Sequence, residues 1–293
     1  MTVRKRRYKL LSDFNKVAEY LDEQYELDHL NGHLIRPFWE YAHTHPAFEH
    51  ALTHRFGLWE DEGELVGVAC YEYNLGECLI SVNNEYSTLL PEVLEYAEQE
   101  LSQLNEKKRS LVVWSTHQEH DKLQLLQRTG YKKIKTIPIK TFDYQKEFPE
   151  VICPEGFTVI SLEDENDIEK INACLWKGFN HGDEPDDDLD CRLLMQSGPN
   201  FSKALTTVIK APDGEYACFA GMWLNESNQY AYLEPLATIP KYRKLGLGKL
   251  ALVEGMRKTK ALGAKYCFGG SNEFYTKIGF ETITSRELWI KEW

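Results

Sequence analysis

The chain has no apolar run approaching the roughly 20 residues that a membrane-spanning helix needs, which excludes a membrane protein of that kind. It also has no Cys-x-x-Cys. Its seven cysteines are odd in number and scattered, so neither a disulfide framework nor a zinc knuckle is expected. They read as small buried side chains in a reducing compartment, and the cytoplasm is the expected location. The basic start, MTVRKRRYKLL, lacks the apolar core of a secretory leader and reads as a solvated tail.

Positive charge is short as well. Lys and Arg total 34 against 46 Asp and Glu, a formal net charge of −12 that the two halves share evenly. With no basic arm or face, nucleic acid is not an expected partner, and the acidic field favours cationic substrates. Histidine is plentiful between His29 and His54, but no His-Glu-x-x-His occurs and no carboxylate stands in a diagnostic position. No metal is therefore expected, and these histidines read as exposed or hydrogen-bonded.

The chain is organised around residues 230–263. Residues 230–239 have the β-branched, aromatic and apolar content of a buried strand, and Pro240 ends its ladder. Arg243-Lys244-Leu245-Gly246-Leu247-Gly248 follows, and Leu250, Val253 and Met256 then mark one face of a helix that Gly263 caps. Without Cβ atoms at 246 and 248 the backbone can approach a ligand closely. The helix start favours an anion by roughly 0.3–1 kcal/mol. Arg243, Lys244 and Lys249 add positive charge. No Ser or Thr follows Lys249, which excludes a Walker loop, and two glycines are too few for a dinucleotide fingerprint.

Arg-x-x-Gly-x-Gly between strand and helix resembles the coenzyme A loop of the GNAT superfamily of acyl-CoA-dependent N-acyltransferases. A second stretch supports the resemblance: a short strand at 265–268, then Gly269-Gly270-Ser271-Asn272 and a helix carrying Tyr275 that ends in Gly279-Phe280. Tyr275 stands four residues before Gly279, as in the family's closing motif. The family's asparagine lies further from the tyrosine than Asn272 does. The resemblance covers about residues 157–280.

The same landmarks occur earlier in the chain. Asp13 and Asp164, Pro46 and Pro199, Gly63 and Gly214, and Gly130 and Gly279 stand about 150 residues apart, far beyond solenoid periods. Two whole domains are expected, 1–148 and 149–293, joined through a Pro-containing stretch at 147–155. Each reads as helix, strand hairpin, strand, helix, strand and short closing helix. The expected class is α/β with a mixed sheet: two GNAT-like domains in tandem. Asp13 and Asp164 are expected as helix N-caps. The first copy has no Arg-x-x-Gly-x-Gly, and Glu85 puts negative charge where pyrophosphate would lie. Its helix, at 89–104, keeps apolar spacing, so the first domain is expected to be degenerate and non-catalytic.

The resemblance implies transfer of an acetyl group from acetyl-CoA to a primary amine by direct attack in a ternary complex. The implied coenzyme contacts are Leu236, Ala237 and Thr238 for the pantetheine arm, Arg243, Lys244, Leu245, Gly246, Leu247, Gly248 and Lys249 for the phosphates, and Asn272. An amine of pKa ~10.4 costs about 4.6 kcal/mol to deprotonate at pH 7, so a general base is useful. Glu234, ionisable within an apolar strand, is the candidate base, with amine binding the alternative role. Tyr275 is the candidate acid for the leaving thiolate. The acceptor is expected to be a small molecule, and the acidic residues between Asp183 and Asp190 suit a polyamine or aminoglycoside-like cation. Protein amines are a second acceptor class. The rival from another class is a catalytically silent acyl-CoA-binding sensor or interaction module.

Overall fold

In the computed structural model, which describes residues 3–106 and 108–293, the chain forms two compact units. One is built from the chain up to Ile139 together with Thr282–Trp293, the other from Lys140–Glu281. The reading from sequence divided the chain at 148/149. The units differ from that division because the end of each half belongs to the other half's unit.

The first unit begins with β1 (Arg4–Arg7), α1 (Leu10–Glu23), α2 (Arg36–Thr44), β2 (Gly57–Asp61), β3 (Glu64–Cys70) and β4 (Glu77–Val82). It continues with α3 (Leu90–Glu100), β5 (Gln103–Asn105), β6 (Lys108–Thr116), α4 (His120–Arg128) and the start of β7 (Lys132–Asp143). The second unit contains β8 (Thr158–Ser161), α5 (Ile168–Gly178), α6 (Asp190–Met195), β9 (Thr207–Lys210), β10 (Tyr216–Asn225) and β11 (Tyr230–Thr238). After these come α7 (Leu247–Ala261), β12 (Tyr266–Gly269) and α8 (Glu273–Ile278), and the last strand is β13 (Glu281–Glu292).

Both units repeat one sheet pattern. In the first, β1, β2, β3 and β4 pair antiparallel in turn, β4 pairs parallel with β6, and β6 pairs antiparallel with β13. In the second, β8, β9, β10 and β11 pair antiparallel, β11 pairs parallel with β12, and β12 pairs antiparallel with residues 140–143 of β7. Internal duplication is visible in this order of partners. The expected element order lacked β1, β8 and the final strands β7 and β13. The start expected as a solvated tail is in part strand β1, whose Arg6 bridges Asp13 (2.6 Å) and Glu60 (2.7 Å).

Two caps lie elsewhere than expected. α1 starts after Lys9, and Asp13 sits inside its first turn, accepting from the Lys9 N–H at 2.7 Å. The cap of α5 is Asp167, while Asp164 accepts from the Ser161 N–H and hydroxyl. The first-copy helix, expected over 89–104, is also shorter: α3 ends at Glu100, because Gln103–Asn105 is strand β5 and pairs with β6. α7 follows expectation: Leu247, Leu250, Val253 and Met256 are buried, and Gly263 has φ +98° just past the end. Each fully buried Leu or Met contributes roughly 1.5–3 kcal/mol, which ties α7 to the β9–β11 face.

Candidate active site

β11 and β12 pair only over Tyr230–Tyr266, Ala231–Cys267 and Tyr232–Phe268. Beyond that point β12 ends at Gly269 while β11 runs on to Thr238. On this side β11 continues past the end of β12, so the backbone of Leu236–Thr238 borders the gap. On its other side β11 pairs with β10 through a bulge, where Glu234 and Pro235 oppose Gly221. A Cβ on Gly221 would sit 2.5 Å from the Glu234 carbonyl oxygen, so only glycine fits there. The Trp223 indole N–H donates to that same carbonyl at 2.9 Å and fixes the strand at the bulge.

The chain leaves β11 through a 3-10 turn at Pro240–Tyr242 and enters α7 with Lys244 at φ +67° and Gly246 at φ +82°. Gly246 is the N-cap, and no side chain caps the helix. The left-handed conformation explains glycine here, and a Cβ on it would point into open space. Gly248 serves closeness instead: its Cβ would stand 3.4 Å from both Phe274 and the Thr238 hydroxyl. An uncapped helix start, with its N–H groups turned to an open cleft, is built to take an anion.

That cleft has a volume of about 660 Å³. Of the expected residues, Leu236, Thr238, Arg243, Lys244, Gly246, Leu247, Gly248, Lys249, Asn272 and Tyr275 line it. Ala237, Leu245 and Glu234 are not among the lining residues. Ala237 is buried beneath Gly178, whose Cβ would lie 2.8 Å from that of Ala237, while Leu245 is exposed to solvent. The sequence reading missed Gly178, Tyr242 and Phe274, which also line the cleft. Phe274 adjoins Tyr275 and was legible by position, but Gly178 arrives from α5 through tertiary folding.

Some of the expected cations are engaged. The Lys249 ammonium donates to the Glu150 carbonyl (2.8 Å), and the Arg243 guanidinium donates to Thr238, Gly178 and Asn180. Lys244 is exposed beside the open cradle. Asn272 uses its side-chain oxygen to cap α8, accepting from the Phe274 N–H at 3.0 Å.

Tyr275 is buried on α8 with its ring laid over Gly269 and Gly270. A Cβ on Gly270 would be 2.3 Å from the ring, which accounts for the glycine pair. Burial pushes the phenol pKa well up, the charge of Glu234 and the nearby Cys267 push it further, and a hydrogen bond with the Gly270 backbone opposes them. Glu234 is thus near enough to act electrostatically on Tyr275, and its side chain is half-buried.

The corresponding place in the first unit is filled. β4 and β6 pair parallel over Glu77–Val112, Cys78–Val113 and Leu79–Trp114, then separate in the same way. A 3-10 turn at Asn31–His33 packs against both strands. Gly32, at φ +72°, lies so close that a Cβ would be 2.8 Å from the Trp114 carbonyl oxygen. Its N–H donates to buried Glu119 (3.0 Å), and Lys122, third residue of α4 as Tyr275 is of α8, donates to Glu119 and to the Ile80 carbonyl (2.8 Å). Burial alone would raise the Glu119 pKa, but Lys122 and the Thr116 N–H outweigh it and hold the carboxyl below its ordinary value. Beside this plug remains a cavity of about 300 Å³. Among the described residues no three His, Cys, Asp or Glu side chains gather in a way that would hold a metal.

A strand splay leading to an uncapped helix start, closed by a tyrosine-bearing helix, is an arrangement suited to an extended, phosphate-bearing ligand. Residues 166–280 match the family model for the Acetyltransferase (GNAT) family. No curated protein sequence matches the chain. Among solved structures, a GCN5-related N-acetyltransferase from Sphaerobacter thermophilus superimposes with TM-score 0.63 at 14% identity, covering 99% of this chain and 95% of that one. A GNAT-family acetyltransferase from Colwellia psychrerythraea gives 0.61 at 13% identity, covering 99% and 100%. A tandem GNAT protein from the clavulanic acid biosynthesis pathway gives 0.59 at 11% identity, covering 99% and 98%. Residues 166–280 are thus similar to the GNAT family model, and the chain as a whole has the tandem GNAT fold.

Proposed function

We propose that the second half of the chain, 149–293 with the strand residues it receives from β7, is an acetyl-CoA-dependent N-acetyltransferase acting on a primary amine of a small molecule. The first half is the degenerate, non-catalytic copy. The observation that carries this reading is the β11–β12 splay, which ends at the uncapped start of α7 with Tyr275 beside it. Acetyl-CoA, when bound, supplies an activated thioester. The free edge of β11 at Leu236–Thr238 offers backbone groups to an extended arm in the manner of an added strand. The turn at Lys244–Lys249 receives the phosphates.

Glu234 takes the proton of the attacking amine, directly or through water, and Tyr275 faces the leaving sulfur. A phenol held above its ordinary value of about 10 transfers a proton to a thiolate of pKa near 8.5 only uphill, by at least about 2 kcal/mol. Tyr275 therefore works first as a hydrogen-bond donor to the developing thiolate. Once Glu234 is protonated its charge no longer raises the phenol, and the proton moves more easily. Attack is direct, because no cysteine is among the described residues that line the cleft, and Cys174, Cys218 and Cys267 are buried with their thiols pushed up by burial.

The exposed carboxylates between Asp183 and Asp190 favour a cationic acceptor such as a polyamine or aminoglycoside. Free thiols throughout fit the reducing cytoplasm, and no described helix is long and apolar enough to cross a membrane. Thiol release from acetyl-CoA across a panel of amines tests the reading. Release that depends on a particular small amine is expected. Tight acetyl-CoA binding with no turnover on any amine would replace the enzyme by an acyl-CoA sensor.

A further inference from the structure

Arg243 stands where a cation for the pyrophosphate was expected, yet its guanidinium is committed to the protein. Nε donates to the Thr238 carbonyl at 3.1 Å, and Nη2 donates to the Gly178 carbonyl at 2.8 Å and to Asn180 Oδ1 at 2.9 Å. These acceptors belong to two places: the end of β11 and the C-terminal end of α5.

The end of α5 is shaped for this contact. The His181 N–H donates to the Trp176 carbonyl and the Asn180 N–H to the Lys177 carbonyl, the paired bonds of a Schellman cap. Asn180 takes φ +64° at the position that glycine usually fills. Its side chain reaches Arg243 instead of solvent. The Gly178 carbonyl, left over at the helix end, goes to the guanidinium, and a cation there also meets the negative end of the helix dipole. Gly178 has no Cβ because one would lie 3.2 Å from the Thr238 backbone nitrogen. Helix end, strand end and turn therefore meet at one side chain.

We infer that Arg243 is a positioning residue, a latch that joins the turn carrying Lys244–Gly248 to the end of α5, so that a ligand seated on the turn also fixes residues 176–182. The identity of that ligand rests on the acetyl-CoA reading, whereas the latch itself does not. A phosphate held by the N–H groups after Arg243 limits the motion of the turn, and the three hydrogen bonds pass that restriction to α5. The segment after Asn180, which carries the exposed side chains of His181, Asp183, Glu184 and Asp186–Asp188, starts from this fixed point. Coenzyme occupancy and the posture of that segment are thereby coupled, and the coupling is reciprocal.

Hydrogen exchange on the full chain, free and with acetyl-CoA, tests this in wild type, Arg243→Gln, Arg243→Lys and Asn180→Ala. In wild type, acetyl-CoA should slow exchange at 176–182 about tenfold or more, within ordinary coupling energies. In Arg243→Gln, acetyl-CoA affinity should stay within about fivefold and protection at 244–250 should persist, while the slowing at 176–182 disappears. Arg243→Lys should recover part of it, since an ammonium can hold one carbonyl but cannot span all three acceptors. Loss of affinity beyond about 100-fold in Arg243→Gln would make Arg243 a direct phosphate ligand and overturn the latch. So would protection at 176–182 that survives the substitution. If wild type binds no acetyl-CoA, the coenzyme reading fails and the free protein decides. There Arg243→Gln and Asn180→Ala must speed exchange at Asn180 and His181, and unchanged rates overturn the latch.

Discussion

Tyr275 and Glu234 act on each other across the end of the splay. The carboxylate charge adds to burial in holding the phenol protonated, so Tyr275 keeps its proton across the whole neutral range. We predict that Tyr275→Phe lowers kcat by about 10²-fold or more and leaves acetyl-CoA affinity unchanged, because only the donor is lost. The wild-type rate should show no alkaline loss from this group below about pH 10, its ordinary pKa, since the folded value lies higher. A rate–pH profile with a tyrosine limb near neutrality would contradict the assignment. Tyr275 was legible because its spacing to Gly279 places it on the closing helix. What it touches was not legible. The glycine pair at 269–270 is explained by a ring lying over the backbone, a contact that spacing does not encode. The bonds of Arg243 were equally hidden, because two of its acceptors, Gly178 and Asn180, are brought to it by α5.

Among the elements, α8 is held in place by a buried lysine. The Lys140 ammonium on β7 donates to the Asn272 carbonyl (3.0 Å) and to the Thr276 hydroxyl (2.6 Å), which pins the helix that carries Tyr275. Lys140→Met should lower kcat about tenfold or more with little change in acetyl-CoA affinity, since misplacement of a reacting group by about 1 Å costs that much. An equal loss in affinity would mean that α8 serves coenzyme binding instead. In the first unit α2 buries His43 among Phe14, Trp39, Phe48 and Phe56, and burial pushes its pKa down to about 3. An unfolded histidine titrates near 6.5. Between those values the unfolded chain binds more protons, so stability is full above about pH 6.5 and falls as pH drops. The loss is about 1.4 kcal/mol per pH unit for this one group. Denaturant titrations at pH 7 and pH 5 should show the loss in wild type and a smaller one in His43→Leu. Equal losses would place the acid sensitivity elsewhere. Element order was legible where periodicity was strong, as in α7. β1 was not, because four successive basic residues carry no alternation of apolar and polar positions. The caps of α1 and α5 were misplaced because an aspartate can serve a helix start from within the first turn, as Asp13 does, or bind a nearby loop, as Asp164 does.

For the whole molecule, duplication was legible from four spaced landmarks, but the exchange of end strands was not. β13 completes the sheet of the first unit and residues 140–143 complete that of the second, and no local pattern reveals which sheet a terminal strand joins. The proposed division of labour between the copies rests on what fills each splay. In the second unit the gap opens on a cleft of about 660 Å³ with an uncapped helix start. In the first, the Asn31–His33 turn and the Glu119–Lys122 pair occupy it. Calorimetric titration of acetyl-CoA into the full chain, beside the Gly246→Glu variant, tests this most directly. The account predicts one site per chain in wild type. In the variant, where a carboxylate would enter the open space before Gly246 and a side chain must adopt φ +82°, binding should vanish while the thermal transition persists. Two equivalent sites, or wild-type affinity in Gly246→Glu, would contradict it.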